Sequence, residues 1–476
     1  MPESLKNKTV KGVVWSSVER FSVQGVQFLV MLVIARILSP TDFGLVGMLA
    51  IFLAVAQSLI DSGFSQALIR KQDRTNVDNS TVFYFNIAVS LLLYVLLYAV
   101  APWVAEFYDE PQLSRLMRVL CLVVVINSFA VVQRANFTAS IDFKTQAKAS
   151  FTAALLSGGV GIWLAVQGYG VWTLVWQQLL NAAINTLLLW VFSRWRPVLQ
   201  YSWRSFRELF AFGSKLMVSG LLDTLYRNMY SLVIGKVFSP QSLGYYTQAK
   251  NFTQLPSSNI TGILQRVTYP VLCTLQDDDE RLRKNYRQLL RLSAFIVFPL
   301  MCGLAGVARP LVTLILGEKW AFAATLIVPL CLSEMWYPIH AINLNLLQVK
   351  GRSDLFLRLE IIKKIVGVAV LACSIPFGLV AMCYSGIITS LIGVFVNTYY
   401  TGKLIQVGFG MQMKDLSATF GLSLLMFGLV YVTTIYIDNL LLRLIIGMLV
   451  GIFVFVGVAI LFKFKEMSYF QLIIRK

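Results

Sequence analysis

The chain has 476 residues, of which 57% are hydrophobic and only 13% charged, with a mean hydropathy of +0.70. A soluble protein carries about a quarter charged residues, so this composition argues against a soluble enzyme and makes the bilayer the expected solvent. The net charge of +18 is spread over alternate loops, which points to membrane orientation and away from nucleic acid.

Fourteen apolar spans are expected, near residues 12–35, 43–66, 81–105, 115–136, 149–167, 170–193, 211–236, 243–268, 290–316, 322–348, 358–377, 379–402, 416–436 and 440–462. The first eleven residues are polar and basic. The apolar stretch after them carries Glu19, Arg20, Gln24 and Gln27 and no small-residue cleavage site, so insertion through uncleaved spans is expected. Lysines and arginines follow the even-numbered spans, as at Arg70, Lys71 and Arg74, and at Arg281, Arg283 and Lys284. The odd-numbered connections are short and poor in them, and one is acidic (Glu106, Asp109, Glu110). This asymmetry predicts that both termini lie in the cytoplasm.

Residues 32–44 return 200 positions later, at 232–244, with six of thirteen residues identical. The copies share Ser39-Pro40 and Gly44 with Ser239-Pro240 and Gly244. Six spans separate them, so both copies face the same way. A parallel repeat of this kind predicts two six-helix lobes with a substrate site between them. The expected division is a lobe over 1–193, a basic cytoplasmic linker over 194–208, a second lobe over 209–403, and two extra peripheral helices with a cytoplasmic tail over 404–476. The fold class is thus all-α and polytopic.

Polar groups inside spans cost roughly 2.5–3.5 kcal/mol each when ionisable, so they face a cavity or a partner. Ser16, Arg20, Gln24 and Gln27 fall on one stripe of span 1, and Asp223, Tyr226, Arg227 and Tyr230 on one stripe of its repeat partner, span 7. Gln57 and Asp61 share a face of span 2; under the 200-residue shift they map onto 257 and 261 in span 8, beside Lys250, Gln254 and Arg266. These matched faces predict a pseudo-symmetric cavity lined by Arg20, Gln24, Gln27, Gln57, Asp61, Asp223, Tyr226, Arg227, Tyr230, Lys250, Gln254 and Arg266. The alternative for each residue is helix-to-helix pairing. Asn127, Gln133 and Arg134 in span 4, and Glu334, His340, Asn343 and Gln348 in span 10, are further candidates. Asp61, Asp223, Glu334 and His340 could couple an ion, although a lone membrane histidine is more often a hydrogen-bonded helix contact. Arg36 and Lys236, at the ends of spans 1 and 7, are expected to snorkel to the outer surface.

The six cysteines form no C-x-x-C pair. No Walker loop, metal-ligand cluster or G-x-S-x-G is present, so neither an enzyme nor a cofactor or metal is expected.

Three segments carry a resemblance. Arg36-Ile37-Leu38-Ser39-Pro40-Thr41-Asp42-Phe43-Gly44 resembles the first loop of Wzx-type polysaccharide flippases, part of the multidrug/oligosaccharidyl-lipid/polysaccharide exporter superfamily. Asp61-Ser62-Gly63-Phe64-Ser65-Gln66-Ala67-Leu68-Ile69-Arg70 resembles the segment that closes their second span, and Gly244-Tyr245-Tyr246-Thr247-Gln248-Ala249-Lys250 the start of their eighth. The pattern is closest to the colanic-acid and teichuronic-acid exporter branch. The resemblance implies a V-shaped pair of lobes working by alternating access in the bacterial inner membrane. It also implies a lipid-linked substrate, undecaprenyl-pyrophosphate bearing an oligosaccharide repeat unit, with polysaccharide polymerase and glycosyltransferase machinery as candidate partners. A drug or small-molecule cation antiporter of the same superfamily would need a compact carboxylate site instead, and a non-transporting scaffold of a polysaccharide synthase would not need polar faces repeated in both lobes.

Overall fold

The structure, a computed structural model, describes residues 5–61, 63–71, 73–464 and 466–467, with side chains described at all of these except 5–14, 16–20, 61, 215, 267 and 353. Among the described residues every regular element is helical. The chain divides into two compact units, Met1–Gly244 and Tyr245–Lys476. The first holds α1 (Leu5–Ile37), α2 (Pro40–Asp61), α3 (Phe64–Arg70), α4 (Asn76–Tyr108), α5 (Gln112–Leu120), α6 (Leu122–Ser128), α7 (Val131–Ala139), α8 (Phe143–Val166), α9 (Trp172–Phe192) and α10 (Trp203–Val237). Helix α11 (Pro240–Cys273) begins in the first unit and continues into the second. The second unit then holds α12 (Asp279–Gly306), α13 (Ala308–Leu316), α14 (Ala321–Glu334), α15 (Tyr337–Val349), α16 (Ser353–Ser374), α17 (Gly378–Ile405), α18 (Phe409–Tyr436) and α19 (Leu440–Leu461).

Among the described residues nine helices are long and apolar enough to cross a membrane, or ten if the bent pair Gln112–Ser128 and Val131–Ala139 is one span. One of the nine, Asp354–Ile405, takes in both α16 and α17. Length and composition of the described residues thus support a polytopic helical chain without fixing the expected count of fourteen crossings. Helices α10 and α11 are not among the nine, and both carry long polar stripes.

The repeated Ser-Pro turn has a direct physical reading. The Ser39 backbone amide donates to Asp42 Oδ2 at 2.9 Å and the Asp42 amide to Ser39 Oγ at 3.3 Å, a reciprocal cap on α2. Ser239 Oγ accepts from the Ser242 amide at 3.1 Å at the start of α11. Proline follows each cap as the first helical residue, where its fixed φ is already helical and no amide is missed. Ser39→Ala is expected to lower stability by about 1 kcal/mol, read as a small drop in the detergent melting temperature.

Within the first unit α1 lies along α8. The contact face of α8 is made of small residues, and a Cβ added at Gly158 would stand 2.5 Å from Val30 Cγ2. The basic segment after α9 is docked rather than loose. The Val198 amide donates to Ser80 Oγ and the Ser202 amide to Thr81 Oγ1, both at 3.0 Å, at the start of α4. Lys71 donates to Asp78 at 3.2 Å and to Glu208 at 3.1 Å. Burial opposes the charge on Lys71, but the hydrogen bonds to Glu208 and Asp78 outweigh it and hold its pKa above the ordinary lysine value.

The fourth expected span is broken into α5, α6 and α7, with a 41° bend between Ser128 and Val131. Neither proline nor glycine lies near this bend, so its cause is tertiary. Trp190 Nε1 donates to the Phe129 carbonyl at 2.9 Å and Thr186 Oγ1 to the Ile126 carbonyl at 3.2 Å, so side chains of α9 satisfy carbonyls at the break. Such irregular backbone is tolerated at membrane depth where protein or a wet cavity surrounds it.

In the second unit α18, which lies outside the duplicated pattern, packs along α12. Arg287 of α12 donates both Nε and Nη2 to Asp415 of α18 at 2.6 Å, and the Asp415 side chain is buried.

Candidate functional site: a carboxamide-lined cavity in the first unit

A cavity of about 610 Å³ opens inside the first unit, between α1, the broken α6–α7 pair, α8 and α9. Carboxamides dominate its wall: Gln27 of α1, Asn127 of α6, Gln146 of α8, and Gln177, Gln178, Asn181 and Asn185 of α9. Arg134 of α7 is the one charged residue on the wall among the described residues. The bend in α6–α7 separates Asn127 from Arg134 by only one turn of α7, and Arg134 Nη2 donates to Asn127 Oδ1 at 3.3 Å. Asn127 Nδ2 in turn donates to Gln57 Oε1 of α2 at 3.2 Å. Gln146 Nε2 donates to Thr138 Oγ1 at 3.0 Å, and Asn181 Nδ2 to Ser157 Oγ at 3.1 Å. A carboxamide presents both a donor and an acceptor, which is the complement of a hydroxyl.

The structure gathers only part of the expected cavity set here. Gln27 lines the cavity and Gln57 buttresses it through Asn127. Gln24, one turn earlier on α1, has a buried Oε1 with no hydrogen-bond partner. The side chains of Arg20 and Asp61 lie outside the described residues. Asp223, Tyr226, Arg227 and Tyr230 do not line this cavity; they follow one another along α10, where Arg227 Nε meets Asp223 Oδ2 at 2.7 Å and both side chains are exposed. In the second unit, Lys250 stands 5.8 Å from the centre of the Tyr246 ring, and Gln254 and Arg266 are exposed along α11.

Of the two remaining ion-coupling candidates, His340 makes a side-chain helix contact, whereas at Glu334 the contact is made by the backbone carbonyl and not by the carboxylate. The Glu334 carbonyl accepts from Ser257 Oγ at 3.0 Å, joining α14 to α11. His340 has both ring nitrogens engaged, Nε2 with Ser390 Oγ and Nδ1 with Asn397 Nδ2, each at 3.1 Å. The Asn397 amide donates to Nδ1, so the geometry fits a neutral ring with its proton on Nε2. Lys236, at the exposed end of α10, reaches the exposed Asp109 at 3.0 Å.

The polar residues of α8 and α9 are the ones that sequence reasoning missed. Gln177, Asn181 and Asn185 recur at i, i+4 and i+8 on a span otherwise apolar, a stripe of the same kind as that on span 1.

Comparison with known proteins agrees with this architecture. The fold is shared with a solved structure of the lipid II flippase MurJ in an inward closed conformation, with a TM-score of 0.78 at 14% identity over 97% of this chain and 100% of that one. It is shared less closely with an inward-facing multidrug resistance MATE family transporter, with a TM-score of 0.63 at 17% identity over 83% of this chain and 100% of that one. The chain is 27% identical to the lipopolysaccharide biosynthesis protein WzxC of Escherichia coli (strain K12), over 76% of this chain and 74% of that one. It is 26% identical to the teichuronic acid biosynthesis protein TuaB of Bacillus subtilis (strain 168), over 74% and 73%. A family profile described as polysaccharide biosynthesis protein matches residues 33–325, well over half of the sequence. The all-helical, multi-pass membrane chain thus belongs to the polysaccharide biosynthesis protein family, in agreement with its resemblance to Wzx-type polysaccharide exporters.

Proposed function

We propose that this protein flips undecaprenyl-pyrophosphate-linked oligosaccharide repeat units from the cytoplasmic to the outer leaflet of the bacterial inner membrane, by alternating access, for cell-surface polysaccharide synthesis. The observation that carries the reading is a hydroxyl-complementary cavity inside a membrane-spanning helical unit of a polysaccharide biosynthesis family member. No acidic residue lines that cavity among the described residues, which favours a sugar or an anion over a cationic drug.

In this reading 1–193 and 209–403 are the two moving lobes, 194–208 is the cytoplasmic connection, both termini are cytoplasmic, and the prenyl tail stays in lipid. Arg20, Arg227, Lys250 and Arg266 supply cationic partners for the pyrophosphate. Gln24, Gln27, Gln57, Gln254, Tyr226 and Tyr230 contact sugars. Export of about two negative charges from an inside-negative cell gains roughly 2.3 kcal/mol per charge per 100 mV. Asp61, Asp223, Glu334 and His340 are the groups through which an ion would add to that drive.

Arg20→Ala and Arg227→Ala are each expected to block polymer export at normal protein level. Unchanged export in the double variant would remove these residues from the substrate path. Deleting the gene should make polyprenyl-linked oligosaccharide accumulate on the cytoplasmic leaflet; loss of dye efflux without that accumulation would favour the antiporter reading.

A further inference from the structure

We infer that the segment 194–207, which joins α9 to α10, is an in-plane anchor on the anionic phospholipids of one leaflet. Arg194, Arg204 and Arg207 meet the lipid phosphates, and Leu199, Tyr201 and Trp203 enter the apolar layer beneath them. This anchor goes beyond the flipping reading and does not depend on it.

Helices α9 and α4 are both long and apolar enough to cross the membrane; α9 ends at Phe192 and α4 begins at Asn76. The Val198 amide is bound to Ser80 Oγ and the Ser202 amide to Thr81 Oγ1, so the segment runs across the first turns of α4. It therefore lies at the level where two spans leave the hydrocarbon, the depth of the lipid headgroups. Leu199 is 94% exposed there, Trp203 57% and Tyr201 47%, although none of them lies on a membrane-crossing candidate. In water this apolar surface would be a standing cost, whereas Trp and Tyr belong at a membrane interface. The aromatic part is held stiffly. Trp203 stacks on Phe206 with ring centres 5.0 Å apart, and Phe206 in turn on Phe64 at 6.0 Å.

Charge decides the class of lipid. Arg194, Arg196, Arg204 and Arg207 are all exposed, and among the described residues none of them is in an ion pair. Arg196 Nη1 donates to the Ser193 and Trp195 carbonyls, and Arg207 lies over the Trp203 ring at 5.6 Å. The neighbouring carboxylate, Glu208, is taken by Lys71 at 3.1 Å. Guanidiniums without carboxylates, beside exposed apolar side chains, match a surface with phosphates above and hydrocarbon below. The arginines flank the apolar group along the chain on both sides. That spread suits a plane of singly charged headgroups better than one pyrophosphate. Because the segment leads directly into α10, the leaflet holds the start of that helix.

The test follows the melting temperature of the purified full chain in detergent during titration with phosphatidylglycerol, phosphatidylcholine or undecaprenyl pyrophosphate. Each arginine beside an anionic surface is worth roughly a fivefold factor, so phosphatidylglycerol should stabilise at a concentration about tenfold or more below that of phosphatidylcholine. The triple variant Arg194→Gln/Arg204→Gln/Arg207→Gln should lose that preference, while its response to phosphatidylcholine and its melting without lipid stay as in wild type. Removing three charges from the second unit, in Lys284→Gln/Lys414→Gln/Lys463→Gln, should leave the preference in place. Leu199→Ser/Trp203→Ser should weaken the response to both phospholipids alike. In the wild-type chain, where no variant has to fold, about 0.5 M salt should erase the preference. Equal stabilisation by the two phospholipids would overturn the inference and leave the patch to a protein partner. An equal loss in the lysine variant, or a preference that persists in high salt, would overturn it as well. So would undecaprenyl pyrophosphate acting below phosphatidylglycerol through the same three arginines, which would give the patch to the cargo.

Discussion

Gly44→Ala is expected to lower the melting temperature by several degrees. A Cβ at Gly44 would lie 1.6 Å from the Pro240 carbonyl oxygen and 2.4 Å from its carbon. The approach is reciprocal: a Cβ at Gly244 would lie 1.9 Å from the Pro40 oxygen and 2.7 Å from its carbon. The atoms in the way are backbone, so no rotamer change relieves the overlap. Both partners belong to first helical turns that are fixed by a serine cap and a proline. The turns must move apart, at a cost of about 1–3 kcal/mol or more. Because the two glycines guard one contact, Gly44→Ala and Gly244→Ala should be strongly non-additive: once the turns have separated, the second alanine adds little. Melting curves of the two single variants and the double variant measure this. Wild-type melting in Gly44→Ala, or additive losses in the double variant, would contradict the reciprocal contact.

This contact also explains how much could be read from the chain alone. The Ser-Pro…Gly pattern was visible twice because its chemistry is local: a cap, a proline and a glycine at fixed offsets. The polar stripes of α1, α10 and α11 were legible from helical spacing. The bend between α6 and α7 was not legible, because the segment carries no proline or glycine and the side chains that meet its carbonyls include Trp190 and Thr186 of another helix. For the same reason the cavity could not be placed. Arg134 and Asn127 were visible as polar residues, but the bend and the α9 amides that make them a wall are set by tertiary contacts. The α9 stripe itself could have been found, since i, i+4 and i+8 amides in an apolar span are a local signal.

Gln412→Leu is expected to be the most damaging single change in the second unit, although its position lies outside the duplicated pattern. Gln412 is fully buried, and Oε1 accepts from Asn343 Nδ2 of α15 at 3.1 Å. Its Nε2 lies 3.2 Å from Tyr286 OH of α12, 3.2 Å from Asn343 Oδ1, 3.1 Å from Thr401 Oγ1 of α17 and 3.1 Å from the Val407 carbonyl. One side chain of α18 therefore ties three other helices and a loop. Leucine fills a similar volume but deprives the buried Tyr286 hydroxyl of its donor and leaves Asn343 and Thr401 only their bonds to each other and to backbone carbonyls. Interhelical hydrogen bonds in membranes average only about 0.6 kcal/mol, because the separated helices find other partners. The two Nε2 hydrogens and the Oε1 acceptor make about three bonds at a time, roughly 2 kcal/mol on that scale, and an orphaned buried group costs about 1–3 kcal/mol more where no other partner is in reach. The Gln412→Leu protein should melt several degrees below wild type, whereas Gln167→Leu at an exposed position should melt with it. A Gln412→Leu protein as stable as wild type would mean that α12, α15 and α17 hold together without α18. The loss expected here makes α18 part of the second unit's core.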